Sequence, residues 1–338
     1  MELREKFAGK VGMEEVKECQ YLGFVISSVG DNMANIKSLK KKSIIATKSA
    51  FQKLKVLHLQ KYYFECGLIF KNIILRTTIL YASETYYNLK EQELRALERF
   101  EEAYLRQLVS TRRGCKIAIL YLELGQYPCR FEIKRMRILF LKYILCQDPS
   151  SKIYRFFQLQ LTSHLRGEWA NMVIEDLKEV GMNFSFEEIK LMKPQQFKSI
   201  LKDKIRNRAF QYLIGKINQK GKQINYRKLQ TAEYLLPNDY LNIDEQKLVF
   251  SLRSASFRVS ENYDNTVKLC ICQDKLTLEH IYCCKTLNDD NQHVEYIKIY
   301  NGTVKEMKIV ASRFIKSWIS YTCKTRQDLS KVDPTSSK

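Results

Sequence analysis

Residues 91–109 read Glu-Gln-Glu-Leu-Arg-Ala-Leu-Glu-Arg-Phe-Glu-Glu-Ala-Tyr-Leu-Arg-Gln-Leu-Val. The apolar residues of this stretch recur three or four positions apart, as on one face of an α-helix: Leu94, Leu97, Phe100, Tyr104, Leu105 and Leu108. Few residues interrupt such patterns elsewhere, because the 338-residue chain contains only 5 prolines and 12 glycines. The sequence therefore predicts a mainly α fold.

Residues 16–28 form the exception at the N-terminal end. Aromatic and β-branched residues surround Gly23, and a turn signal follows at Gly30-Asp31-Asn32. This pattern predicts a β-hairpin, and an ordinary edge strand is the alternative.

The charge of the chain points to a polyanionic partner. Lys and Arg total 57 against 37 acidic residues, which gives a net charge of +20, and so large an excess repels itself unless a polyanion neutralises it. An aromatic content of 12% adds surface for stacking on bases. We expect RNA, DNA or both as partners, and a merely basic protein is the alternative.

The cysteine usage and the hydropathy predict the compartment. Ten cysteines occur without a signal peptide, which is typical of reduced thiols inside the cell. The most apolar run, residues 68–82, is interrupted by Lys71, Asn72 and Arg76, so no membrane span is expected. The predicted location is nuclear, cytoplasmic or both, without secretion.

Residues 32–64 contain no acidic residue but eight lysines. An apolar helical stripe runs through the same stretch: Ile36, Leu39, Ile44, Ala46, Ala50, Leu54 and Leu57. A helix with so one-sided a charge is suited to phosphates, and a solvated face is the alternative. The predicted contacts are Lys37, Lys40, Lys41, Lys42 and Lys48.

Residues 198–228 form a second basic stretch, with ten basic side chains, one acid and interleaved aromatic residues. This composition suits single-stranded nucleic acid. We expect Tyr226 to stack on a base and Phe197 and Phe210 to lie in the core. The predicted cationic contacts are Arg206, Arg208, Lys220, Lys222, Arg227 and Lys228. For the basic residues between 134 and 142, phosphate contact and a solvated face are both open.

The stretch from 270 to 284 carries the residues best suited to site chemistry. Cys270, Cys272 and His280, with Cys283 or Cys284, supply four soft ligands for a structural, tetrahedral Zn²⁺. Three residues between His280 and Cys284 let the chain turn back, which favours Cys284. Ordinary buried cysteines are the alternative. The zinc loop is expected to pack against a closing helix from Tyr296 to Tyr321 and to present Lys268 and Lys275 to a nucleic-acid backbone.

Four motifs in order resemble the reverse transcriptases of non-LTR (LINE-like) retrotransposons. Residues 21–30 resemble Y-L-G-x-x-I-S-x-x-G, and residues 80–86 resemble L-Y-G-x-E-T-W with Ala82 and Tyr86 as departures. Residues 120–128 resemble L-x-x-E-L-G-x-x-P. Residues 252–284 resemble L-R-[ST] … N-[YF] … C-x2-C-x7-8-H-x3-C, with one residue missing between the first two cysteines.

The resemblance implies the part of such a protein that follows the palm, in four contiguous domains. Residues 1–31 would be a residual palm and primer-grip hairpin, with Tyr21, Leu22 and Gly23 at the primer-grip positions. Residues 32–148 would form a helical thumb, and residues 149–244 a basic helical linker. Residues 245–338 would form a zinc-knuckle-like module of CCHC type and a closing helix.

The parent family polymerises DNA on an RNA template, but we expect this chain alone to be inactive. Its sequence has no Tyr-x-Asp-Asp motif to hold catalytic Mg²⁺, and Asp289-Asp290 lie in a polar run without a preceding strand. No endonuclease portion is present either. The expected partner is template-primer or element RNA. The motifs and the missing catalytic residues are consistent with a gene-model fragment, with a decayed copy and with a retained nucleic-acid-binding remnant. The alternative from another class is a helical protein-interaction scaffold.

Overall fold

The structure is a computed structural model that describes most of the chain. The described residues are 17–21, 24–27, 32–57, 61–86, 89–111, 115–163, 168–218, 226, 228–254, 256–257, 270–274, 276–284, 287 and 296–331. They divide into two compact units. The first unit draws on residues 1–53, 70–102 and 128–209, and the second on residues 54–69, 103–127 and 210–338. The domain boundaries implied by the family resemblance stay a prediction.

The N-terminal hairpin is confirmed. Strand β1, Glu18–Tyr21, pairs antiparallel with strand β2, Phe24–Ser27, so that Glu18 lies opposite Ser27 and Tyr21 opposite Phe24. Leu22 and Gly23 lie outside the described residues, and the primer-grip role of residues 21–23 stays a prediction.

The rest of the described chain is mainly helical, as predicted. A π-helical turn, Lys71–Arg76, joins α2 to α3, and 3-10 turns occur at Ser83–Thr85 and Glu233–Leu235. The helices are α1 Met33–Val56, α2 Tyr63–Phe70, α3 Thr77–Ile79, α4 Glu91–Leu108, α5 Ile117–Glu123, α6 Cys129–Leu145, α7 Lys152–Ser163, α8 Trp169–Glu179, α9 Phe186–Leu191, α10 Pro194–Asn218, α11 Ile243–Arg253, α12 Leu278–Cys283, α13 Lys298–Asn301 and α14 Val304–Lys331.

Helix α6 lies at the centre of the first unit. It packs against α7, α8, α9 and the Ser83–Thr85 turn. The Trp169 ring meets Phe140 and Phe157 edge-on, and its indole N–H donates to the Glu84 carbonyl at 2.7 Å. Trp169 is therefore a packing residue.

For the basic residues between 134 and 142, the sequence left phosphate contact and a solvated face open, and the structure corrects both interpretations. Lys134, Arg137 and Lys142 instead bond to groups inside the first unit. Lys134 Nζ and Arg137 Nε each lie 2.7 Å from the Asp176 carboxylate. Lys142 Nζ donates to three carbonyls at the C-terminal end of α9, at 2.6–2.9 Å. The last turn of a helix leaves carbonyls without partners, and this ammonium group satisfies them.

Helix α14 organises the second unit, where α11, α12 and α13 all pack against it. The single closing helix expected from Tyr296 to Tyr321 is instead two helices. Thr303 starts α14 as a capping box: its backbone N–H donates to Glu306 Oε2 at 2.7 Å, and its Oγ1 accepts the N–H of Glu306 at 3.3 Å. A cap of the same kind at Ser185 sets the start of α9 at Phe186.

Candidate metal centre and nucleic-acid interface

The first two cysteines of the candidate centre lie on a tight turn. The Gln273 N–H donates to the Cys270 carbonyl at 2.9 Å, and the Cys270 N–H donates to the Asp274 carbonyl at 2.8 Å. Gln273 itself adopts a left-handed conformation, with φ of +71°. This reversal brings the Cys272 side chain back beside that of Cys270 although only Ile271 separates them.

The other two side chains come from helix α12. Thr277 caps the helix, since its side chain accepts the N–H of His280 at 2.9 Å. Positions four apart share one helical face, so His280 and Cys284 project to the same side. Cys283 is exposed and does not join the group. Cys284 is thus the fourth member, as the spacing favoured.

The four ligand atoms converge on one point. Each lies within 4.8 Å of the others. Cys284 Sγ is 3.8 Å from Cys270 Sγ and 3.7 Å from Cys272 Sγ, and His280 Nε2 is 3.2 Å from Cys272 Sγ. Three sulfurs and one imidazole nitrogen at these separations can hold a metal ion. Of the predicted sites, this is the one whose members the structure brings together.

Burial keeps the Cys270 thiol protonated, so a metal ion has to displace its proton in order to bind. Burial, with smaller contributions from Cys272 and Cys284, raises the pKa of the Cys270 thiol to about 11. A metal ion supplies the positive charge that lets such thiols ionise, and binding releases their protons. His280 presents Nε2 to the sulfurs, and its Nδ1 lies 4.0 Å from Asp274 Oδ2. A carboxylate behind the second ring nitrogen is a common way to orient a metal-binding histidine.

Apolar packing holds the centre on the second unit. Leu276 and Ile281 are buried, and the buried Tyr282 ring packs against Tyr296 with 5.4 Å between the ring centroids. The Arg313 guanidinium of α14 lies 4.9 Å from the centre of the Tyr282 ring. The expected contact of the metal loop with the closing helix is present. Lys268 and Lys275, expected to face a nucleic acid, lie outside the described residues.

Helix α1 separates an apolar side from a basic side. Ile36, Leu39, Ala46, Ala50 and Leu54 are buried as predicted, and the five predicted lysine contacts of this helix are all exposed. Two members of the predicted stripe are misplaced: Ile44 and Leu57 are about half exposed. Ser43 takes the buried position instead, because it lies four residues after Leu39 and three before Ala46.

Three lysines of α1 form a row on its exposed side. At 100° per residue, Lys37, Lys41 and Lys48 lie within about 40° of one another around the helix axis. Contacts on the opposite, buried side hold the N-terminal end of the helix in place. The Asn32 N–H donates to Glu93 Oε1 at 3.1 Å, and the Asn35 amide donates to the Tyr86 hydroxyl at 3.3 Å. We call Lys37, Lys41 and Lys48 the α1 lysine row.

The second basic stretch is described only in part. Along α10, Phe197, Leu201, Ile205, Ala209, Leu213 and Ile217 form a buried stripe with a four-residue spacing, while Phe210 is half-buried. Of the predicted contacts, Arg206 is half-buried, and Arg208 Nε lies 3.7 Å from Glu179 Oε1. Lys228 is exposed. Lys220, Lys222 and Arg227 lie outside the described residues.

Tyr226 has an internal partner that the sequence did not indicate. Its hydroxyl donates to Glu123 Oε1 at 2.6 Å, and burial raises its pKa. Arg253 Nε also lies 2.9 Å from Glu123 Oε1, and Arg253 Nη1 donates to the carbonyls of Ile299 and Tyr300 at 2.7 Å. The half-buried Tyr226 ring leaves only part of its surface for a base, and its stacking role stays a prediction.

The buried ion pair between Glu123 and Arg253 connects two of the motifs recognised in the sequence. Glu123 belongs to the L-x-x-E-L-G-x-x-P motif and Arg253 to the L-R-[ST] motif. Gly125 of the first motif has a φ of +61°, and a Cβ there would lie 2.3 Å from the backbone nitrogen of Thr231. One signal in the sequence could have indicated this pairing. Each of the two motifs contains a single charged residue, Glu123 in the first and Arg253 in the second, and the two charges are opposite.

Comparison with protein-family models, with curated proteins and with solved structures finds no match to this chain. In the part of the chain that the structure describes, no helix combines the length and the apolar composition needed to cross a membrane.

Proposed function

We propose that this protein binds RNA or DNA and belongs to the part of a LINE-like reverse transcriptase that follows the palm. The observation that carries the proposal is the α1 lysine row, a set of exposed cations on a helix without a carboxylate. Mixed charges would serve solubility equally well, whereas cations alone displace the counterions of a polyphosphate. The net charge of +20 gives the chain an overall attraction to the same partner.

We propose further that the metal centre holds a structural Zn²⁺. Zinc–sulfur bonds of about 2.3 Å in tetrahedral geometry place two sulfurs about 3.8 Å apart. The sulfur separations of 3.7 and 3.8 Å match that value, and the distance of 3.2 Å from Cys272 Sγ to His280 Nε2 is slightly shorter than the roughly 3.6 Å that a tetrahedral site gives. Four protein ligands leave no open position for an activated water, so the metal stabilises the fold.

The retrotransposon assignment rests on the four motifs and on two features that suit them. The buried pair of Glu123 and Arg253 gives two of the motifs a shared structural purpose. The turn at Gln273 gives the shortened cysteine pair a conformation in which both sulfurs face one point. These features support a retained remnant better than a decayed copy, because a chain no longer selected for its fold has no reason to keep a buried charge pair and a complete set of ligands.

The test compares the affinity of purified variants for a single-stranded RNA at one fixed salt concentration. We expect Lys37→Ala, Lys41→Ala and Lys48→Ala together to weaken binding by tenfold or more, since each lysine neutralises phosphate charge. The matched control replaces Lys178 and Lys190, two exposed lysines outside the predicted contacts, and should weaken binding less per charge removed. Equal losses per charge would contradict a localised interface.

The scaffold alternative has one observation in its favour. Several large apolar side chains of the first unit are exposed, including Tyr143, Phe156, Leu159 and Leu191. Single exposed apolar residues are normal on protein surfaces, so this observation carries less weight than the lysine row. A wild-type protein that binds no nucleic acid at low salt would favour the scaffold.

A further inference from the structure

A basic groove lies along helix α14 of the second unit, and its lining contains none of the residues that the sequence predicted for binding. Its volume is about 350 Å³, near the lower end of the range for clefts that hold small ligands. One wall is the face of α14 that carries Lys305, Lys308, Ile309, Ser312 and Lys316, and Tyr240 borders the other side. We call this feature the α14 groove.

The position of Tyr240 is fixed by its backbone. Lys308 Nζ donates to the Tyr240 carbonyl at 2.6 Å, which ties the segment before α11 to α14. The side chain of Asn238 accepts the N–H groups of Tyr240 and Leu241 at 3.0 and 2.8 Å. The side chain of Tyr240 is nevertheless 53% exposed. The backbone of the residue is anchored while much of the ring remains accessible beside the lysines.

The nearby carboxylates pair with cations or caps. Asp239 lies 2.7 Å from Lys61 Nζ, and Glu245 lies 3.4 Å from Lys308 Nζ. Glu306 accepts from Thr303 and lies 3.3 Å from Lys298 Nζ. Lys305 and Lys316 are both exposed, and no carboxylate lines the groove among the residues that the structure describes. The charged residues that line the groove are therefore all cations.

The spacing of the two exposed lysines indicates what kind of anion would fit them. Lys316 follows Lys305 by eleven positions, which places the two about 16 Å apart along the helix axis at 1.5 Å per residue. A ligand that meets both side chains without stretching them carries more than one anionic group. The apolar contacts offered by Ile309 and by the Tyr240 ring suit a ligand that also has flat, apolar faces.

We propose that the α14 groove binds a single-stranded segment of RNA or DNA, with Lys305 and Lys316 contacting separate phosphates and the Tyr240 ring stacking on a base. This inference rests on the proposed function and adds a second contact surface to it. An acidic polypeptide would satisfy the lysines but would leave the exposed ring without a stacking partner. Stacking on an aromatic side chain is the usual way in which proteins hold single strands without reading their sequence.

The test uses the full chain and an oligouridylate that carries photoreactive iodouridine. We expect a cross-link at Tyr240, located by mass spectrometry. Tyr240→Leu should weaken binding about fivefold or more, whereas Tyr240→Phe, which keeps the ring, should bind like the wild type. Lys305→Ala with Lys316→Ala should weaken binding more than the control pair Lys178→Ala with Lys190→Ala. Circular dichroism checks that each variant is folded.

The possible failures are distinguishable. Wild-type protein that binds no oligouridylate would contradict the proposed function itself. Wild-type protein that binds, with no cross-link at Tyr240 and unchanged affinity in the Tyr240 and lysine variants, would overturn the groove alone. Competition by polyglutamate that matches oligouridylate at equal charge would show recognition of charge without stacking, and would also overturn the inference.

Discussion

At the scale of single residues, Ala82 occupies a conformation that L-amino acids disfavour. Its φ is +56°, and the left-handed region costs a residue with a Cβ roughly 1–2 kcal/mol. The motif that this stretch resembles has glycine at the same position. The left-handed backbone explains why the motif has glycine at this position, and this chain forms the same turn with alanine.

We predict that Ala82→Gly increases the free energy of unfolding by about 0.5–1 kcal/mol, because relief of the left-handed strain exceeds the added entropy of the unfolded chain. Urea denaturation measures the change. Ala103→Gly, at an exposed position within α4, is the matched control and should lose about 1 kcal/mol. Loss of stability in both variants would mean that Ala82 is unstrained.

Lys71 is a buried cation in the first unit. Its Nζ lies 3.0 Å from Glu101 Oε1, and neither side chain is more than 1% exposed. Burial lowers the pKa of Lys71 to about 8, and the attraction of Glu101 offsets part of that effect. Because the pKa in the unfolded chain is near 10.5, the unfolded state binds more protons between these two values. The contribution of Lys71 to the stability of the folded state must therefore rise with pH between about 8 and 10.5.

We predict that the wild type gains stability relative to Lys71→Met as the pH rises from about 8 to about 10.5. Denaturation of both proteins at several pH values gives the difference directly, and groups common to both cancel. A difference that stays constant or falls with pH would contradict the lowered pKa of Lys71.

Residue-scale roles were the hardest to predict from sequence. The side chain of Arg253 reaches Glu123 across 130 positions of the chain, and no local pattern links residues so far apart. The same limit applies to the basic residues of α6. Lysine is usually a surface residue, so the sequence alone gave no reason to bury Lys142. Only the packing of α9 against α6 gives its ammonium group three carbonyl partners.

At the scale of elements, periodicity predicted helix faces well and helix ends less well. The buried stripe of α1 is confirmed except at Ile44 and Leu57, where the predicted pattern missed Ser43. The break at residues 302–303 was missed because a capping box can interrupt an apolar pattern without changing it. A capping box depends on two residues and their reciprocal hydrogen bonds, whereas an apolar stripe depends on many residues.

The metal loop shows the same division. The ligand set and the preference for Cys284 followed from residue type and spacing, whereas the left-handed Gln273 that makes the short cysteine pair workable did not. We predict one zinc per chain in protein purified without chelator, and loss of that zinc in Cys272→Ser. Elemental analysis measures both, and Cys283→Ser, which changes an exposed thiol outside the group, should keep the metal.

The opposite outcome is equally clear for this centre. Protein that contains no zinc, or that keeps the same zinc content after Cys272→Ser, would show that these four side chains do not form the site. Unchanged thermal stability on treatment with a chelator would show that the metal, if bound, does not support the fold.

At the scale of the whole molecule, the dominant property is the excess of positive charge. Composition alone predicted a polyanionic partner and a mainly helical fold, and the structure confirms the fold. Composition could not say which cations are available, since many pair internally. The structure separates Lys134, Arg137 and Arg253, which have buried partners, from the exposed α1 lysine row.

The most direct test of nucleic-acid binding is the dependence of affinity on salt. The logarithm of the binding constant for single-stranded RNA falls linearly with the logarithm of salt concentration, with a slope near −0.7 for each phosphate neutralised. We predict a steep negative slope for the wild type. Replacing Lys37, Lys41 and Lys48 by alanine should make that slope shallower by about 2. A slope near zero in the wild type, or the same slope in the variant, would contradict the account.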